Sequence, residues 1–315
     1  GMDYFLKCAA KLLVNVFFMV PSAVPATDVE TNGCGEFLAS DMMKYVDNAR
    51  VLGLGETMRF MECCEGEKRM ADKLELFAKK HIDGHAPGIR GKEVQAYRLA
   101  GVENDHECST AEEVLDKLRA GLHIYVREGS GAKNLETLIK TMLDAGVCLD
   151  RCAFCTDDKH VEEIRKEGHI STCIRKAIAL GVPVAKAYKM GSYQAAEFYG
   201  LKNYGAIGAG YRADIVFLDD LEQVRPLDVM KDGRILTEED YAKDYSVPVP
   251  DELLHTVHVG EVTKEKIRLS CDGKTDVIQM NPHQIVTTHL MEEVPTENGY
   301  FKSDGVYNKI CVVER

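Results

Sequence analysis

Short apolar runs, most of them closed by an acid or a histidine, recur through the first half of this chain and alternate with longer amphipathic stretches. The runs Val14 to Val20, Val51 to Glu56, His81 to His85, Val102 to His106, His123 to Glu128 and Cys152 to Asp157 have the length and residue types of buried strands. Stretches such as Ala71 to Lys80, Ala111 to Ala120 and Leu135 to Ala145 carry apolar residues at helical spacing between them. Alternation of this kind predicts parallel strands with helices packed outside, an α/β fold. After Leu201 the texture changes. GAIGAGYRADIVFLDDLEQV, KDGRIL, IRLSCD and DVIQMN read as short strands separated by turn residues. The expected organisation is a (β/α) portion over residues 1–201 and a β-rich appendage over 202–315, with Tyr245 to Glu252 as a proline-stiffened linker within it.

Strands of a (β/α) barrel present their chemistry at their carboxyl ends. Glu56, His85, His106 and Asp157 close four of the runs in that order, and glutamate, histidine, histidine, aspartate is a usable metal-ligand set. Taken singly, a strand-end histidine is as readily a hydrogen-bonded loop residue. The ordered set is what points to an ion that activates water, since such an ion needs nitrogen and oxygen donors converging on one point. Mixed imidazole and carboxylate ligation suits a divalent metal, manganese or iron first and zinc as a further option. His81 lies four residues before His85 and enters from the other end of its strand, which favours a structural role. His123, His160 and His169 stay open, while His255, His258, His283 and His289 fall in the appendage, outside catalysis.

Composition narrows the partners. The chain is 45% hydrophobic and 29% charged over 315 residues, enough for a full-sized core. A net charge of -12 and a pI of about 5.4 disfavour a nucleic-acid backbone and favour a small soluble substrate. The 11 cysteines form no regular framework, so reduced thiols in a cytoplasmic protein are expected. Cys152 and Cys155 are a CxxC pair, but residues three apart on a strand face opposite ways and cannot share an ion. Near the start, Lys7 and Lys11 precede an apolar run with small residues around Ala23 and Ala26, as in a secretory signal. The competing reading is an amphipathic helix followed by a buried strand that ends at Pro21. The run from Leu12 to Val20 is too short to span a membrane.

The segments GLGET, DGHAPGIRGKEVQAY, GVENDHE, REGSGAKNL, CTDDKHVEEIRKEGHI and GAIGAGYRADIVFLDDL, in this order and spacing, resemble the adenine deaminases of the amidohydrolase superfamily. The resemblance covers nearly the whole chain. It implies an amidohydrolase-type (β/α) barrel, metal-dependent, converting adenine and water to hypoxanthine and ammonia. It also implies a His-x-His strand and a further histidine upstream of this chain and another domain after Arg315, so that the residues here match the middle of such an enzyme. A barrel lacking those strands is incomplete, holds about one ion tightly, and self-associates through its edges. Carried over by position, Glu56 resembles the carboxylate bridging two metals, and His85 and His106 the histidines of the more buried metal. Asp157 resembles the carboxylate that binds metal and takes a proton from the attacking water. In the REGSGAKN loop two readings stay open. Arg127 and Glu128 form an ion pair over a glycine turn, or Glu128 or Ser130 hydrogen-bonds the purine edge. Asp158 orients Asp157 or ligates nothing. The other functions kept open are an amidohydrolase cleaving a cyclic amide and a catalytically inactive fragment of the family.

Overall fold

The structure, a computed structural model, describes residues 1–27, 35–282 and 284–313, so His283 lies outside the described residues. Six strands carry the first half: β1 (Phe18–Pro21), β2 (Val51–Thr57), β3 (His81–Gly84), β4 (Asn104–Asp105), β5 (His123–Arg127) and β6 (Cys152–Cys155). β1, β2 and β3 pair side by side, as do β4, β5 and β6, and every pairing is parallel, as the alternation predicts. The seam between β3 and β4 is also hydrogen-bonded. Glu103 N–H donates to Ile82 O at 3.0 Å, and Gly84 N–H donates to the Asn104 side-chain oxygen at 3.0 Å. The six strands therefore run in sequence order with their carboxyl ends together.

Two strands are shorter than expected by three residues, and β3, β5 and β6 by one or two. The run from Val14 joins the sheet only at Phe18, and Pro21 is its last residue rather than a stop beyond it. The Val102 to His106 run keeps only two residues in the ladder. There the Asn104 amide replaces a backbone partner, and the Asp105 carboxylate turns the chain by accepting the Glu107 N–H at 2.9 Å.

Side-chain parity sorts the layers. Ile124, Val126, Cys152 and Phe154 face outward and pack with Leu135, Leu138, Ile139 and Met142 of the helix Leu135–Asp144. Val20, Val51, Leu54 and Ile82 form a second cluster with Met42, Phe77 and Tyr97. Each fully buried side chain of this size contributes about 1.5–3 kcal/mol. Tyr125 and Ala153 point to the opposite face, where Phe198 and Cys155 meet them. Cys152 and Cys155 thus lie on opposite faces as free thiols, as their spacing on a strand requires. The helix Ala111–Arg119 starts where the Thr110 hydroxyl accepts the Glu113 N–H, with acids in its first turn and bases in its last to match its dipole.

Of the two readings of the amino-terminal segment, the helix and strand are what form: helix Met2–Ala9, then β1 against β2. After Leu201 the pairings are antiparallel. β7 (Ile215–Leu218), β8 (Pro226–Lys231) and β9 (Arg234–Ile235) make one small sheet, with Asp232 and Gly233 at φ +50° and +82° in its tight turn. β10 (Lys274–Met280) pairs with β11 (Thr287–Glu293). IRLSCD does not become a strand. Only Ser270 bridges across, to Tyr300 in a strand of two residues, so its alternation finds no partner of matching length. Tyr245 to Glu252 holds no strand, and Tyr4 donates to Val247 O at 3.1 Å from the first helix. Among the described residues no helix is long and apolar enough to cross a membrane.

The Val-Leu-Gly-Leu-Gly run of β2 owes its first glycine to contact with β3. A Cβ on Gly53 would lie 1.8 Å from the backbone oxygen of His81. Gly53→Ala must push β2 and β3 apart and is expected to cost about 1–3 kcal/mol in urea denaturation. Unchanged stability would show that the β2–β3 pairing is not as close as described.

Candidate metal centre

Five strand ends supply the polar side chains of one cluster. Glu56 is the penultimate residue of β2, His85 and His106 directly follow β3 and β4, Arg127 closes β5, and Asp157 lies two residues beyond β6. His85 Nδ1 stands 3.0 Å from Glu56 Oε2, and His106 Nε2 stands 3.8 Å from the same oxygen. The two imidazoles lie edge to face with centroids 5.3 Å apart. Donor atoms of Glu56, His85 and His106 all fall within 4.8 Å of one another, and so do those of His106, Glu107 and Asp157. His106 is common to both groups.

Buried hydrogen bonds behind the cluster set where its backbone runs. Asp105 and Lys117 pair at 2.9 Å with both side chains wholly inaccessible. Together they grip the Ala86 peptide unit from both sides: Asp105 accepts its N–H at 2.8 Å, and Lys117 donates to its carbonyl at 2.7 Å. His85 and His106, neighbours of Ala86 and Asp105, are thereby held at a fixed separation. The Tyr97 hydroxyl, also buried, accepts the His85 N–H at 2.9 Å and donates to Thr57 O at 2.8 Å, tying β3 to the end of β2. Ser22 Oγ donates to Glu56 O at 2.5 Å.

Charge is balanced locally. The His85 bond is the main reason the Glu56 carboxyl lies below its ordinary pKa, with burial opposing it and the His106 and Arg127 charges adding to it. Burial alone would lower His106, but its bond to Glu107 and the charges of Asp105, Glu107 and Glu56 raise it to about 9. Asp83, below the cluster on β3, goes the other way. Its burial raises it to about 6 despite hydrogen bonds from Asn104 and Tyr199. Burial likewise opposes ionisation of Asp105, but Lys117 holds it below the usual carboxylate value.

The four expected ligands thus come together at one end of the sheet, in two groups that share His106. Glu107 and Arg127 were not foreseen as part of it. Glu107 is buried, and its Oε1 lies 3.2 Å from His106 Nε2 and 3.6 Å from His85 Nδ1. The signal for it was an acid directly after a strand-end histidine in Asp-His-Glu. The Arg127–Glu128 ion pair, one of the two open readings of this loop, does not form. Neighbours on a strand point to opposite faces, so Arg127 pairs with Glu107 and Asp157 while Glu128 pairs with Lys176 at 2.5 Å. Ser130 Oγ donates to Glu163 at 2.7 Å and accepts the His160 N–H at 2.9 Å. Asp158 accepts the N–H groups of Ser130 and Gly131, so it shapes that loop. His81 pairs with Glu103 at 2.7 Å at the amino end of the sheet, a structural contact as expected. His169 bonds Thr156 at 2.7 Å.

Each group, two imidazoles with one carboxylate or one imidazole with two, offers donors suited to a divalent cation of the manganese, iron or zinc type. The model of the amidohydrolase family matches residues 1–236. The chain belongs to the amidohydrolase family. It is 42% identical to the adenine deaminase of Desulfitobacterium hafniense and 40% identical to that of Clostridium acetobutylicum, with all of this chain aligned in both cases. It is 39% identical to adenine deaminase 2 of Carboxydothermus hydrogenoformans. The alignments take in 55%, 56% and 55% of those proteins, so the chain spans about half the length of the curated relatives it matches. The β-aspartyl dipeptidase of Fervidobacterium islandicum AW-1 shares the amidohydrolase-type α/β fold, with a TM-score of 0.54 and 17% identity over 77% of this chain and 71% of that one.

Lys117→Met leaves the Asp105 carboxylate buried without its cation and is expected to cost about 3–5 kcal/mol by chemical denaturation. A loss below about 1 kcal/mol, the size of a surface ion pair, would contradict the clamp. An imidazole must be neutral to ligate a metal. With His106 raised to about 9, divalent-metal affinity should climb with pH and level off above that value. Calorimetry across this range checks it, and a pH-independent affinity would show that no His106 proton competes with the metal there.

Proposed function

We propose that this protein is an adenine deaminase, hydrolysing adenine to hypoxanthine and ammonia with a divalent metal. The observation that carries the proposal is the 42% identity along the entire chain to the D. hafniense adenine deaminase. The clustering of Glu56, His85, His106 and Asp157 at one end of a parallel sheet supports it.

In this reading Glu56, His85 and His106 hold the metal and Asp157 completes the set, with manganese or iron as the proposed ion. A divalent ion bound there supplies the Lewis acidity that makes water nucleophilic at neutral pH. The remaining chemistry falls to side chains of the chain. Asp157 accepts the proton released as the water oxygen bonds to the amine-bearing ring carbon. It then returns that proton to the ring nitrogen, and the proton of the added hydroxyl passes to the amine, which departs as ammonia and leaves the carbonyl of hypoxanthine. Glu56, kept ionised by its bond to His85, serves as a ligand first. Contact of Glu128 or Ser130 with the purine edge belongs to the same proposal and requires each to exchange its present partner, Lys176 or Glu163.

The six parallel strands are proposed as part of a (β/α) barrel within residues 1–201, with 202–315 as the β-rich appendage. Homo-oligomerisation is proposed because β1 and β6 each pair with a single strand among the described residues.

The test is ammonia release, or the ultraviolet change from adenine to hypoxanthine, by protein expressed from its full reading frame and loaded with manganese or iron. Asp157→Asn should lower turnover about 10²- to 10⁴-fold, because an amide cannot take the water's proton. Glu56→Gln should lower bound metal on elemental analysis before anything else. No adenine turnover by the loaded parent would end the proposal, and an active Asp157→Asn would remove the assigned proton carrier.

A further inference from the structure

The Asp157 carboxylate is held by a buried guanidinium. The Arg127 side chain is 4% exposed, and its Nη1 donates to Asp157 Oδ2 at 2.7 Å and to Glu107 Oε1. Its Nε and Nη2 are buried without a hydrogen-bond partner. Leaving two such groups unpaired is unfavourable, so stability alone does not account for an arginine here. Asp157 itself sits at φ +44°, in the left-handed region that a non-glycine residue enters only when its surroundings enforce it. Glu107 lies behind the guanidinium with a side chain 2% exposed, and the same Oε1 that takes Arg127 also faces His106 at 3.2 Å.

We propose that Arg127 and Glu107 are a positioning pair for the deamination. Arg127 occupies Oδ2 of Asp157 and leaves Oδ1 as the oxygen free to face the metal site and to accept the water's proton. Glu107 holds Arg127 in place and, through the same oxygen, the His106 ring. The inference rests on the deaminase reading of this site. The competing role for Glu107 is that of a metal ligand, since His106, Glu107 and Asp157 have donors within 4.8 Å of one another. Glu107 Oε1 is already taken by Arg127 Nη1, which weighs against Glu107 as a further ligand.

The experiment compares Arg127→Met, Arg127→Lys and Glu107→Gln in the full, manganese-loaded protein by steady-state kinetics, elemental analysis and crystallography. Arg127→Met is expected to lower kcat about 10²-fold with KM within about threefold of the parent and with metal content unchanged. Arg127→Lys keeps the charge without the planar fork and should recover part of the loss. Glu107→Gln should follow Arg127→Met in kcat, again at full metal content. If Arg127→Met does not fold, the other two variants carry the same comparison. The proposal is overturned if kcat stays within about threefold of the parent, or if Glu107→Gln loses metal in proportion to activity, which makes Glu107 a ligand. Absence of turnover in the parent would instead defeat the deaminase reading. The pair is then judged from the crystal structures, where an Asp157 carboxylate turned away in Arg127→Met supports it and an unmoved one refutes it.

Discussion

The geometry of the cluster depends on one buried ion pair. Lys117 extends from an outer helix through the core to Asp105, and neither side chain is touched by solvent. Two charges taken out of water together are of uncertain net benefit to stability, but they are unforgiving of displacement. By gripping both polar groups of the Ala86 peptide, the pair converts that intolerance into a fixed separation between the ends of β3 and β4. His85 and His106 inherit it. The adjoining ends are set more gently, through the Tyr97 hydroxyl between His85 N–H and Thr57 O.

A second constraint is the concentration of negative charge that the first one creates. Glu56, Glu107 and Asp157 converge on a small volume, with the half-buried imidazoles between them. Positive charge has to be supplied from within. Arg127 provides some of it, His106 is pushed toward its protonated form, and a divalent ion is the partner that the donor atoms are chemically suited to take. Outward from this centre the demands relax. Glu128 turns to Lys176, Asp158 caps a loop, and the His81 and His123 rings pack at a tilt against Phe198 at the far end of the strands.

Much of this was legible along the chain. Short apolar runs and the helical spacing between them marked six parallel strands and the helices over them, because burial in a sheet or along a helix stripe leaves a local imprint. The strand-ending positions of Glu56, His85, His106 and Asp157 were readable for the same reason: a parallel sheet delivers the ends of all its strands to one place. The parity of Cys152 and Cys155 followed from strand geometry alone.

Tertiary structure decided what spacing cannot encode. Lys117 and Asp105 look like surface charges in sequence, and only the path of the helix Ala111–Arg119 past β4 shows them meeting in the core. Glu107 and Arg127 are 20 residues apart, and their pairing, like that of Arg127 with Asp157, exists only because β5 lies between β4 and β6. IRLSCD has a strand's alternation but no matching neighbour, and hydrogen bonds between strands are not written in either strand by itself. Local pattern located the six strands and set their carboxyl ends to within a residue or two. Which charges face one another was left to the packing, since long-range contacts are a property of the folded chain.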